Sequence, residues 1–182
     1  MPKSNLPVAA GEPPHVNAAA AQEQRASEQL ITDWERETTR LGRVLALMTL
    51  DVSAMTGPKW SQRFIIAVAP VVEDSSFLFY GHGFASLMEL PETPDYSAPI
   101  VAQLPARYVP VVSRGCIAST LSSAAIRMQG TVVREDGRQE LYRAALIRLS
   151  LETNRQRHLA LGALNCRITE DRVESSGART PR

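Results

Sequence analysis

The stretch that decides the fold is AAIRMQGTVVREDGRQELYRAALIRLSLETNRQRHLALGALNCRIT, residues 124–169. It reads as three strands joined by two tight connections. The first run, 124–135, is rich in apolar and β-branched residues, and Glu135-Asp136-Gly137-Arg138 follows it. Asp-Gly between two such runs is a strong hairpin signal, because glycine accepts the positive φ the turn needs. The second run, 139–151, has no internal glycine or proline. Leu141, Ala145, Ile147 and Leu149 fall on one face, interrupted by Arg143. Tyr142, Ala144, Leu146 and Arg148 fall on the other. Apolar residues on both faces suit a strand covered on both sides for part of its length. Its Ala, Leu, Arg and Glu also favour helix, which is the competing reading. The turns on either side leave a helix little length, so strand is preferred. After the polar connection at 152–156, the third run places Leu159, Leu161 and Ala163 on one face, with Ala160, Gly162, Leu164 and Cys166 on the other.

Upstream, residues 1–21 hold four prolines and an alanine run without apolar periodicity, and are expected to be disordered, with the alanine run fraying into the next helix. Residues 22–42 read as an amphipathic flanking helix whose stripe is Ala26, Leu30, Trp34 and Leu41, with Ile31 beside it and Gly42 as a stop. It is expected to pack on its own sheet or on a second subunit. Residues 43–60 read equally as short helix or strand. Residues 62–72 and 77–80 form a hairpin of two strands, with Pro70 at an edge or bulge. Phe84, Leu87 and Met88 give 84–90 a helical spacing. The prolines at 91, 94, 99 and 105 forbid a long helix over 91–107, and a further helix is expected over about 110–119. The expected organisation is one domain over 43–170 and a loose tail at 171–182.

Composition narrows the function classes. An apolar fraction of 44% is enough for a core, and no run approaches the ~20 apolar residues of a membrane span. No charged start precedes an apolar run, so no secretory signal is expected, and a cytoplasmic location follows. The net charge is +1, and of 20 basic residues only Lys3 and Lys59 are lysines, the arginines being scattered. Nucleic acid is therefore not the expected partner, since binding phosphates wants a basic surface. Cys116 and Cys166 are too few for a disulfide framework and read as reduced, partly buried thiols.

The order helix, strand, strand, short helices, helix and three strands resembles the PAS domain, a five-stranded antiparallel sheet with small helices inserted between its second and third strands. FLFYGHGFASLMEL (77–90) is similar to the second strand and following helix of that family. GTVVREDGRQELYRAALIRLS (130–150) is similar to its fourth and fifth elements, and HLALGALNCRIT (158–169) to its last strand. The resemblance spans about 60–170. Gly81 stands where the family often has Asn at the end of the second strand. The resemblance implies an α+β fold with short helices on one sheet face, and a sensory module with an apolar pocket beneath them.

Residues expected to line that pocket or its core are Phe79, His82, Phe84, Met88, Cys116, Ile117, Met128 and Leu146, with Leu87 and Leu161 beside them. His82, between two glycines, reads either as a pocket or metal ligand or as a turn histidine, and no Cys, Asp or Glu stands at ligand spacing to it. Cys116 follows Arg114, a cation able to activate a thiol, or else is a small buried hydrophobe. Some relatives in the family bind flavin through a cysteine, but Cys116 does not align with that motif. Haem or flavin is conceivable without being indicated. No phosphate loop, Gly-x-Ser-x-Gly or His-Glu-x-x-His motif occurs. The leading expectation is a non-enzymatic sensor with a small apolar ligand, signalling through a homodimer made by residues 22–41 or through a partner protein. Its rivals are a ligand-free dimerisation module, and a small α+β enzyme with His82, Glu89 or Asp95 as its acid or base.

Overall fold

The computed structural model describes residues 17–41, 55, 57–150 and 158–172, with side chains for 26–40, 55, 57–149 and 158–169. The readings made for 1–16, for most of 43–56, for 152–156 and for the tail beyond 172 lie outside the described residues.

All three C-terminal runs are strands. β3 (Ile126–Val133), β4 (Arg138–Ser150) and β5 (His158–Arg172) form an antiparallel meander. The β3–β4 turn uses Gly137 at φ 79°, with the Asp136 carboxylate accepting from the Arg138 amide at 3.0 Å. That side chain fixes the turn from within. The N-terminal hairpin, β1 (Arg63–Val68) and β2 (Ser76–Tyr80), joins the meander through β1 and β5, giving one sheet of order β2-β1-β5-β4-β3. Pro70 lies in the loop between β1 and β2, clear of the ladder. The helix competing for 139–151 is excluded: eight consecutive pairings with β3 and a longer series with β5 make it the most extensively paired strand.

Between β2 and β3 come α2 (His82–Met88), the single-turn α3 (Ile100–Gln103) and α4 (Val109–Leu121). They cover one face of the sheet, called here the lid face. α1 (Asn17–Leu41) covers part of the other, and starts at Asn17, taking in the alanine run 18–21 expected to be disordered or frayed.

Two cores result, one on each side of the sheet. On the lid face Phe64, Ile66, Ala144, Leu146, Ala160 and Leu164 meet Phe84, Met88, Tyr108, Val112 and Cys116 from the helices. On the α1 face Ile65, Ala145, Ile147, Leu149, Leu159, Leu161 and Ala163 meet Leu30 and Ile31. The two sets interleave along the same strands, so β1, β4 and β5 read as nearly continuous apolar runs. Leu30 and Ile31 are each 1% exposed, and burying each stabilises docking by about 1.5–3 kcal/mol. An ion pair supports them: Arg63 Nη2 donates to Asp33 Oδ2 at 2.7 Å, and the Arg63 guanidinium lies 5.4 Å from the centre of the Trp60 ring. The apolar stripe of α1 is thus engaged by its own sheet.

Candidate functional site

The lid-face interior is where the sequence places a pocket, and the structure brings most of the expected residues there. Phe84, Met88, Cys116 and Leu146 are buried together, and Met128 packs against them from β3. Four expected residues are elsewhere, among them Leu161, which faces α1 from β5. Phe79 should share a face with Phe77 by simple alternation. A bulge in the β1–β2 ladder places Phe77 opposite Ile66 but Phe79 opposite Ile65. The extra residue re-aims the strand, and Phe79 turns to the α1 side, where its ring meets Trp60 edge-on at 5.5 Å. Ile117 is 49% exposed. The inward phase of α4 is set by Val112, Cys116 and Ser119, which leaves Ile117 outside with Arg114 and Leu121. His82 is exposed at the start of α2, its Nδ1 3.4 Å from Ser61 Oγ.

Under α2 the interior is filled by aromatic rings. Phe64 lies 4.6 Å from Phe84, and Phe77 makes edge contacts with Phe64, Tyr80 and Phe84 at 5.4–6.1 Å. Phe64 also lies flat against the β5 backbone at Gly162, where any Cβ would run into its ring. Under α4, Gly115 lets Met128 and Leu146 approach the helix backbone.

Toward the β3–β4 turn the interior becomes polar. Glu140 is 3% exposed, with Arg107 Nε at 3.4 Å and Arg134 Nη1 at 3.7 Å. Tyr108, fully buried at the start of α4, has its hydroxyl 2.8 Å from Cys166 Sγ and in hydrogen-bonding reach of Glu140. Burial first, then Cys166 and Glu140 beside it, pushes the Tyr108 hydroxyl well above the usual phenol range. Burial alone pushes the Cys116 thiol up to about 12. Both groups therefore stay protonated near neutral pH and act as hydrogen-bond donors or packing atoms, not as nucleophiles.

Sequence reasoning missed this polar end. The signal was Glu140 itself. It shares the alternation of Tyr142, Ala144 and Leu146, a carboxylate on the apolar side of a strand, and such a group must be paired when buried. Tyr108 and Arg107, at the entrance to α4, supply partners from the helical layer.

The alternative acids and bases do not reach the interior. Glu89, with a side chain 72% exposed, caps α2 in the left-handed conformation at φ 56°. Asp95 is exposed and accepts from the Ser97 amide and hydroxyl in a local turn. Among the described residues no group of three or more His, Cys, Asp or Glu could hold a metal ion. Among the described residues, those of the lid-face interior do not fit haem or flavin either. The one nearby histidine points outside the core, Cys116 is held protonated, and rings occupy the space beneath α2.

One five-stranded antiparallel sheet, with every lid helix inserted between β2 and β3, is the arrangement the family resemblance implies. The fold is PAS-like. No protein-family model matches the chain, and no curated protein does. Among solved structures it is similar to the PAS domain of a protein from Colwellia psychrerythraea, at 12% identity and a TM-score of 0.42, covering 65% of this chain and 98% of that one. A fungal LOV domain photoreceptor matches at 16% identity and a TM-score of 0.37, over 64% of this chain and 79% of that one. The PAS domain of an HTR-like protein from Haloarcula marismortui matches at 19% identity and a TM-score of 0.35, over 80% and 99%. No helix among the described residues is long and apolar enough to cross a membrane.

Proposed function

We propose that this chain is a non-enzymatic sensory or regulatory module, in which the state of the lid-face core sets how firmly α1 sits on the opposite face. One observation supports this most directly. Neighbouring residues of single strands, Phe64 with Ile65 and Leu146 with Ile147, serve the two cores alternately. A shift of β1, β4 or β5 on one side therefore moves side chains on the other, because packed interiors transmit strain. The signal would leave through residues 22–41, to a second copy or a partner protein. α1 would meet that partner with its outward residues, among them Gln29, Glu35, Arg36 and Arg40, since its apolar stripe is engaged by the sheet.

A ligand-free interaction module is the second reading, favoured by the rings that fill the space under α2. Native mass spectrometry and an absorbance spectrum of freshly purified protein separate the two. A retained small molecule supports sensing through a ligand. A dimer carrying none supports the interaction module. A bare monomer at all concentrations argues against both a retained ligand and signalling through a second copy.

A further inference from the structure

On the α1 face, a cleft of about 460 Å³ opens between Ser27, Glu28 and Ile31 of α1 and Arg127, Gln129 and Arg143 of β3 and β4. That volume suits a small organic molecule. Gln129 stands directly opposite Arg143, and Arg127 opposite Ala145, so the two arginines are diagonal neighbours on the face that α1 covers. Diagonal positions lie ~7–8 Å apart on a sheet, within reach of each other for long side chains. Two guanidiniums can therefore converge on one anion.

We propose that this cleft binds a small monocarboxylate, its carboxylate held by Arg143 and Arg127. The guanidinium fork matches a carboxylate with two parallel hydrogen bonds. Both arginines are available for it. Among the described residues Arg143 has no ion pair, and Arg127 has only Glu28 and Glu35, each at 3.9 Å and each exposed. Pairs of that kind contribute ~0–1 kcal/mol and yield readily to a better-placed anion. Glu28 at the rim sets the charge preference, because it repels a dianion more than a monoanion. A ligand there touches the helix at Ser27 and Ile31 and the strands at Arg127 and Arg143, so its binding tightens the docking of α1. The binding itself does not depend on α1 having a signalling role.

Isothermal titration of the full chain with sodium hexanoate tests this, with hexanamide as the neutral control. Saturable one-to-one binding of hexanoate, weakened by added salt, is expected, with none for hexanamide. Arg143→Ala should weaken it at least about tenfold, the effect of losing one charge-assisted hydrogen bond of ~1.4 kcal/mol. Arg143→Lys, which keeps the charge but not the fork, should fall between. Arg143 is exposed and lacks an ion pair among the described residues, so circular dichroism should show both variants folded. No hexanoate binding at millimolar concentration, equal binding of hexanamide, or an unchanged affinity in Arg143→Ala would each overturn the proposal.

Discussion

Replacing Asp33 by alanine should undo the docking of α1 more than its place near the protein surface suggests. Arg63 is the reason. Its side chain is 7% exposed, and its Nε has no partner. Without Asp33 the guanidinium keeps, among the described residues, only the Trp60 ring, an attraction of ~0.5–2 kcal/mol. Removing one member of a fully buried pair costs about 3–5 kcal/mol. The Asp33 side chain is 17% exposed, so water partly replaces it. A loss of about 2–3 kcal/mol follows, or roughly 5–10 °C in Tm for a chain of this size. Arg63→Met should behave quite differently. It removes the buried charge, keeps an apolar chain against Trp60, and leaves Asp33 bonded to Gln29 and Arg36. Its stability should stay within about 1 kcal/mol of wild type. The double variant should follow Arg63→Met. The chain's two tryptophans, Trp34 and Trp60, both belong to the α1-face core, so emission during urea unfolding reads this interface. An Asp33→Ala loss below about 0.5 kcal/mol, the level of a surface pair, would refute the reasoning. So would an Arg63→Met loss as large as that of Asp33→Ala.

The same pair gives a pH dependence. Burial raises the Asp33 carboxyl, but hydrogen bonds from Arg63 and Gln29 and the charges of Arg63 and Lys59 outweigh it, so the folded value lies below the ordinary one. Its stabilisation is complete above the unfolded value of ~3.9 and is lost as pH falls through the lower folded value. Wild type should therefore lose stability relative to Asp33→Asn as pH falls below about 4, seen in urea midpoints by tryptophan emission. Gly162→Ala should cost about 1–3 kcal/mol, because the new methyl displaces the buried Phe64 ring. Gly115→Ala should cost less, since it meets only the flexible ends of Met128 and Leu146 and gains about 1 kcal/mol of helix propensity. Thermal melts compare the two. Glu140→Leu should lose about 3 kcal/mol by stranding Arg107 and Arg134, against about 1 for Tyr108→Phe, measured by denaturant unfolding. Cys116 should resist thiol reagents at pH 8 until urea unfolds the chain, checked by the rate of a chromogenic disulfide exchange.

Most of the sheet was legible because its signals are local. Asp136-Gly137 marks a turn, and the alternation in 158–166 sorts cleanly onto two faces. What failed depended on geometry that no local pattern carries. The bulge that turns Phe79 away leaves no mark in FLFY, a run apolar at every position. The phase of α4 was unreadable because VPVVSRGCIASTL is apolar nearly all round, so Ile117 and Cys116 looked alike. The partner of the α1 stripe was undetermined for a different reason. Amphipathicity shows that a face must be covered, not by what. Arg63 and Asp33 meet across 30 residues of sequence, and the polar cluster joins Tyr108, Glu140 and Cys166 from three elements.

Hydrogen exchange across residues 26–40 in a variant altered only on the lid face tests the two-sided sheet most directly. Leu146→Ala serves, since Leu146 belongs wholly to the lid core while Ile147 beside it faces α1. Faster exchange in 26–40, together with loosening of α4, is the predicted result. Loosening of α4 with exchange in 26–40 unchanged would contradict the account.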